Sequence, residues 1–160
     1  MKTINVNGND YVLEYSFRAV EHKETVQKMF NVMSGAYLVK DANMVDGEPA
    51  KEHSLATMIQ GVSEMVADVP HIVKTAFYAG LLEHQEMSEA EAYQLLKDYM
   101  KENKLSFNKI FEDIKVCMED DGFFDLSGLN DMMERMNQNM SAAQNKKPAK
   151  RNTKKSTSAN

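Results

Sequence analysis

Apolar and polar side chains alternate over residues 3–6 (Thr-Ile-Asn-Val) and again over 11–17 (Tyr-Val-Leu-Glu-Tyr-Ser-Phe). Asn7-Gly8, between them, is a pair that tolerates the positive φ of a tight turn, so the pattern predicts an N-terminal β-hairpin. An isolated hairpin is marginal in water, and its apolar side must rest on the segments that follow. There the period changes. Val26, Met29, Phe30 and Met33 recur at helical spacing and Ser34-Gly35 supplies a stop, which predicts a first helix over 20–33. Asp46-Gly47-Glu48-Pro49 reads as a loop. Leu55, Met58, Ile59, Val62, Met65, Val66 and Val69 then form the clearest helical stripe in the chain. Pro70 interrupts it, either ending that helix or occupying the first turn of a next one carrying Ile72, Val73, Ala76, Phe77, Gly80 and Leu81.

Ser88-Glu89-Ala90-Glu91 has the spacing of a capping box, in which the serine and glutamate side chains each satisfy a free backbone N–H at a helix start. The helix it opens runs to Glu102 and buries Ala92, Leu95, Leu96, Tyr99 and Met100; another over 107–118 buries Ile110, Phe111, Ile114 and Cys117. The short loop between them makes the two antiparallel neighbours. A last helix over 129–140 carries Leu129, Met132, Met133, Met136 and Met140 on one side. Beyond Ser141 the apolar period ends, and Lys, Asn, Ser, Thr and Pro leave too little apolar surface to offset chain ordering. The expected fold is therefore α+β and predominantly α-helical. An N-terminal β-hairpin packs on a bundle of about five or six helices within residues 1–140, and 141–160 form a disordered basic tail.

Charge sharpens this division. The chain carries −5 overall, yet residues 136–160 hold six basic side chains and no acid, leaving −11 on residues 1–135. An acidic body argues against docking on phosphate backbones. The helix after the capping box bears Glu89, Glu91, Asp98 and Glu102 against Lys97 and Lys101, a face that DNA repels. The tail lacks interleaved aromatics for base stacking and reads as a solubilising arm. A nucleic-acid-associated regulator using that basic tail is the alternative reading. No apolar run approaches the ~20 residues of a membrane span. The single cysteine and the absence of a signal-peptide pattern point to a reducing cytoplasm.

Chemistry is sparse. His22, His53, His71 and His84 lie in separate segments, and no zinc-binding, phosphate-loop, dinucleotide or nucleophile-elbow spacing occurs, so neither metal, cofactor nor catalytic residue is expected. Glu119-Asp120-Asp121-Gly122 invites comparison with a calcium loop. Aligning Gly122 with the loop's glycine, however, puts Cys117 and Gly128 where oxygen ligands belong. Cys117 itself falls on an apolar stripe, where a buried thiol is inert. The outlier is methionine, with 13 residues. Flexible thioethers fill irregular cores and also suit surfaces that receive a partner's apolar segment. Met132, Met133, Met136 and Met140, on the last helix with least chain left to cover them, are the candidate protein-binding residues; burial against the preceding helices is the competing reading.

Four stretches, Tyr11-Val-Leu-Glu-Tyr-Ser-Phe17, Phe77-Tyr-Ala-Gly-Leu-Leu-Glu-His84, Tyr99-Met-Lys-Glu-Asn103 and Asp120-Asp-Gly-Phe-Phe124, occur in an order and spacing that resembles the tail assembly chaperones of long-tailed bacteriophages of Gram-positive bacteria. The similarity spans most of residues 1–140. It implies a protein of the host bacterial cytoplasm, absent from the mature virion, that binds the tape measure protein, keeps it soluble and helps recruit tail tube protein. It further implies self-association and a longer frameshift product of the same gene. Lys146-Lys147 and Lys154-Lys155 are compatible with A-rich slippery codons for the latter.

Overall fold

The computed structural model describes residues 1–39 and 55–144. The loop read at 46–49 and residues 145–160 of the tail expected to be disordered lie outside the described residues, as do the side chains of Leu55, Met58 and Met140, whereas residues 141–144, placed in that tail by the sequence pattern, extend the last helix. The fold is mostly helical with an N-terminal two-stranded antiparallel hairpin, β1 (Lys2–Val6) and β2 (Asn9–Leu13). Val6 pairs with Asn9, which leaves Asn7 and Gly8 as a two-residue turn with φ of +52° and +79°, the two positive angles of a type I′ turn. The alternation puts Ile4, Val6 and Leu13 on the buried side. The second strand stops at Leu13 rather than continuing toward Phe17, because Ser16 opens a helix.

The helices follow as α1 (Phe17–Glu21), α2 (Lys23–Met33), α3 (Ala36–Val39), α4 (Leu55–Leu81), α5 (Glu89–Asn103), α6 (Phe107–Asp120), α7 (Phe123–Leu126) and α8 (Leu129–Gln144). The helix expected over 20–33 is broken at His22, whose ψ of 88° leaves the helical region. Its imidazole Nδ1 lies 2.9 Å from Thr25 Oγ1 and its ring meets Tyr78 edge-on at 5.5 Å, so local contacts replace helical continuity. Ser34-Gly35 ends α2 as expected, with Gly35 at φ +66°.

Pro70 does neither of the things expected of it. The chain runs as one helix of 27 residues with Pro70 inside. Proline removes the N–H that would reach the Val66 carbonyl, but Pro70 and Val66 both face solvent, so the bond is lost on the side of the helix where water competes for carbonyl oxygens. The C-terminal half of α4 is the axis of the core: Val69, Ile72, Val73, Ala76, Phe77 and Leu81 are buried among Tyr15, Met29, Leu96, Ile114, Met118 and Phe123. Asp68 fastens it to the preceding helices, accepting from Lys28 Nζ at 3.0 Å and from the Tyr37 hydroxyl at 2.5 Å. Partial burial and the Asp68 carboxylate push the Tyr37 phenol up to about 12.

The capping box of α5 forms in full. Ser88 Oγ accepts from the Glu91 N–H at 3.3 Å, and the Glu91 carboxylate accepts from the Ser88 N–H at 2.7 Å. That backbone bond holds the Glu91 carboxyl below the usual range. Ser88→Ala is expected to cost about 1 kcal/mol, read as a fall of a few degrees in the thermal midpoint. An unchanged midpoint would mean that α5 is held by packing alone. A second serine cap, Ser106 accepting from the Lys109 N–H at 3.2 Å, starts α6.

Candidate functional site

The four stretches on which the resemblance rests all bear on the hairpin or its exit, which lie across α4, α5 and α6. Tyr15 is fully buried there, and its backbone N–H donates to Asp121 Oδ2 at 2.9 Å while its ring meets Phe123 edge-on. The Glu14 N–H donates to the Gly80 carbonyl at 2.8 Å, and the Glu14 carboxylate sits 2.6 Å from His84 Nε2, which holds its carboxyl below the usual range. At the far end of the hairpin the Asn7 N–H donates to the Glu102 carboxylate, at 3.1 Å to Oε1. Lys2 Nζ reaches Asp113 on α6 at 3.0 Å. These residues dock the hairpin. Burial pushes the Tyr15 hydroxyl well above its ordinary pKa, and among the described residues the hydroxyl has no hydrogen-bond partner.

The acidic stretch compared with a calcium loop is part of the same device. Asp121 turns inward to the Tyr15 N–H, and Gly122 at φ +74° reverses the chain into α7. Cys117 is buried, its Sγ facing the Leu13 carbonyl at 3.8 Å, and burial raises its pKa. Among the described residues no group of three or more His, Cys, Asp or Glu side chains lies close enough to hold a metal ion. His71 pairs with Glu24 at 2.9 Å, and His22 and His84 are engaged as described; His53 lies outside the described residues.

An apolar groove of about 430 Å³ lies open between α2 and the start of α8. Val20, Val26 and Phe30 form one wall, Leu129 and Met132 the other, and Lys23, Gln27 and Ser127 carry the polar lip. Met132 is 50% exposed, whereas Leu129 is buried beneath it. Close by, α1 touches α7, and each presents an exposed apolar side chain, Phe17 and Leu126. Of the methionines singled out in the sequence, Met132 lines the groove, Met133 and Met136 are half-buried, and Met140 lies on α8 with its side chain outside the described residues. Val26 and Phe30 were missed as site residues because their helical spacing is indistinguishable from that of core positions.

A wider cleft of about 560 Å³ between α6 and α8 is less suited to a ligand, because its polar groups are paired with each other. Lys115 meets Glu119 at 3.5 Å, and the Asn130 amide donates to Asp125 at 2.6 Å. Among the described residues no helix is long and apolar enough to cross a membrane. Neither a family model, nor a curated protein, nor a solved structure matches this chain.

Proposed function

We propose that this protein is a tail assembly chaperone that holds an amphipathic helical segment of a tape measure protein in the α2–α8 groove, keeps it soluble and helps recruit tail tube subunits. The open apolar groove carries this reading. At 1.5 Å per residue the 11 residues of α2 give a wall of about 16 Å, three turns of a docked helix, which matches anchors at i, i+3 or i+4, and i+7. A partly exposed methionine suits such a client, because its thioether repacks against side chains of different shape at little cost. The polar lip leaves the client's own polar face in water.

The test is co-expression with segments of the tape measure protein, followed by pull-down and titration. Met132→Glu places a charge where half the side chain is already exposed, so folding is retained. Affinity for the client segment is expected to fall at least tenfold, about 1.4 kcal/mol or more. Removal of residues 146–160 is expected to leave it unchanged. Undiminished binding by Met132→Glu would refute the groove as the client site, and failure of every tape measure segment to bind would refute the chaperone reading.

A further inference from the structure

The polar lip of the α2–α8 groove is one-sided in charge. Of the side chains that line it Lys23 alone is charged, and it stands in one column with Gln27, a turn further along α2, beside the apolar column of Val26 and Phe30. Acids of the neighbouring elements are turned to other partners. Glu24 meets His71 at 2.9 Å, Asp68 takes Lys28 at 3.0 Å, and Asp125 accepts from the Asn130 amide at 2.6 Å. Glu21 and Asp131 are exposed, but neither lines the groove. Among the described residues no carboxylate meets the Lys23 ammonium.

The place of Lys23 is also unfavourable for the fold. It is the first residue of α2, where the partial positive charge of the helix N-terminus disfavours a cation and suits an acid. No side chain caps that N-terminus to offset it. Binding rather than stability accounts for an exposed, unpaired residue that works against its own helix at the edge of an apolar groove. We infer that Lys23 receives a carboxylate of the client, so that the segment held in the groove is an amphipathic helix whose edge along α2 is acidic. This rests on the groove being the client site. The Gln27 amide offers a further donor to the same edge. The charge of −11 on residues 1–135 would draw a basic segment instead, but at physiological salt charges farther than ~8 Å are largely screened. On the groove wall itself Lys23 sets the sign.

The test is fluorescence anisotropy with the tape measure segment recovered by pull-down, in ~0.15 M salt. Lys23→Glu is expected to weaken binding at least about fivefold, yet to leave the thermal midpoint unchanged or higher, because an acid suits the first turn of α2. Lys23→Arg is expected to bind as the wild type does. Exchanging the acidic edge residue of the segment for lysine is expected to weaken binding to the wild type and to restore binding to Lys23→Glu. A Lys23→Glu protein that binds as tightly as the wild type, or more tightly, overturns the inference; if Met132→Glu still weakens binding, the groove remains the client site. A bound segment without an acid on that edge overturns it too, as does a lowered midpoint for Lys23→Glu, which would make Lys23 a residue of the fold. If neither substitution affects binding, or no segment binds, the groove reading falls and this inference with it.

Discussion

Replacing Phe123 by alanine is expected to cost about 3–5 kcal/mol and to lower the thermal midpoint by about 10 °C. Phe123 is fully buried and makes edge-to-face contacts with Tyr15 at 6.2 Å and Phe124 at 5.6 Å between centroids. Removing the ring loses its transfer free energy and both aromatic contacts, and it opens a void beneath the point where the hairpin crosses onto the helices. Little relaxation is available. Tyr15 is pinned through its backbone to Asp121, and α7, only four residues long, is held by the turn at Gly122. Urea unfolding measures the loss. A cost under about 1 kcal/mol would mean that α7 does not belong to the cooperative core.

Gly80→Ala pits two effects against each other. In a helix interior, alanine is worth about 1 kcal/mol more than glycine. A methyl group at Gly80 would nevertheless stand 2.7 Å from Tyr15 Cζ and 2.8 Å from its hydroxyl oxygen, closer than carbon atoms can pack. The obstacle is a fully buried aromatic ring rather than a mobile side-chain tip, and the Glu14 N–H bond to the Gly80 carbonyl fixes the strand at that height. Overpacking therefore wins, with an expected net loss of about 2 kcal/mol, again read by urea unfolding. A more stable Gly80→Ala protein would show that the ring can move aside.

Much of this architecture was legible because single positions carried it. Asn7-Gly8 announced the hairpin turn, Ser88 and Glu91 announced the start of α5, and the stripes of α5 and α6 named their buried faces. Legibility failed where tertiary surroundings outweigh a local rule. Pro70 is tolerated because the bond it removes lies on the exposed side of α4. The break at His22 depends on Thr25 and on Tyr78, the latter distant in sequence. Four residues of α7 carry no readable period. For the groove, methionines near the end of the chain drew attention to Met132, yet periodicity distinguishes an inward face from an outward one without saying which inward residues stay uncovered. Hence Val26 and Phe30 went unread, and Met133 and Met136 proved half-buried.

The docking of the hairpin sets a timetable for synthesis. Ile4, Val6 and Leu13 leave the ribosome well before the surfaces that cover them, and the Phe123 ring that supports Tyr15 belongs to a segment translated up to about 120 residues later. At 5–20 residues per second the apolar side of the hairpin waits roughly 6–24 s before its native cover exists. During that interval its apolar face is bare beside two strand edges that no third strand pairs, so the nascent chain is most open to mispairing with its neighbours on a polysome before α7 has emerged.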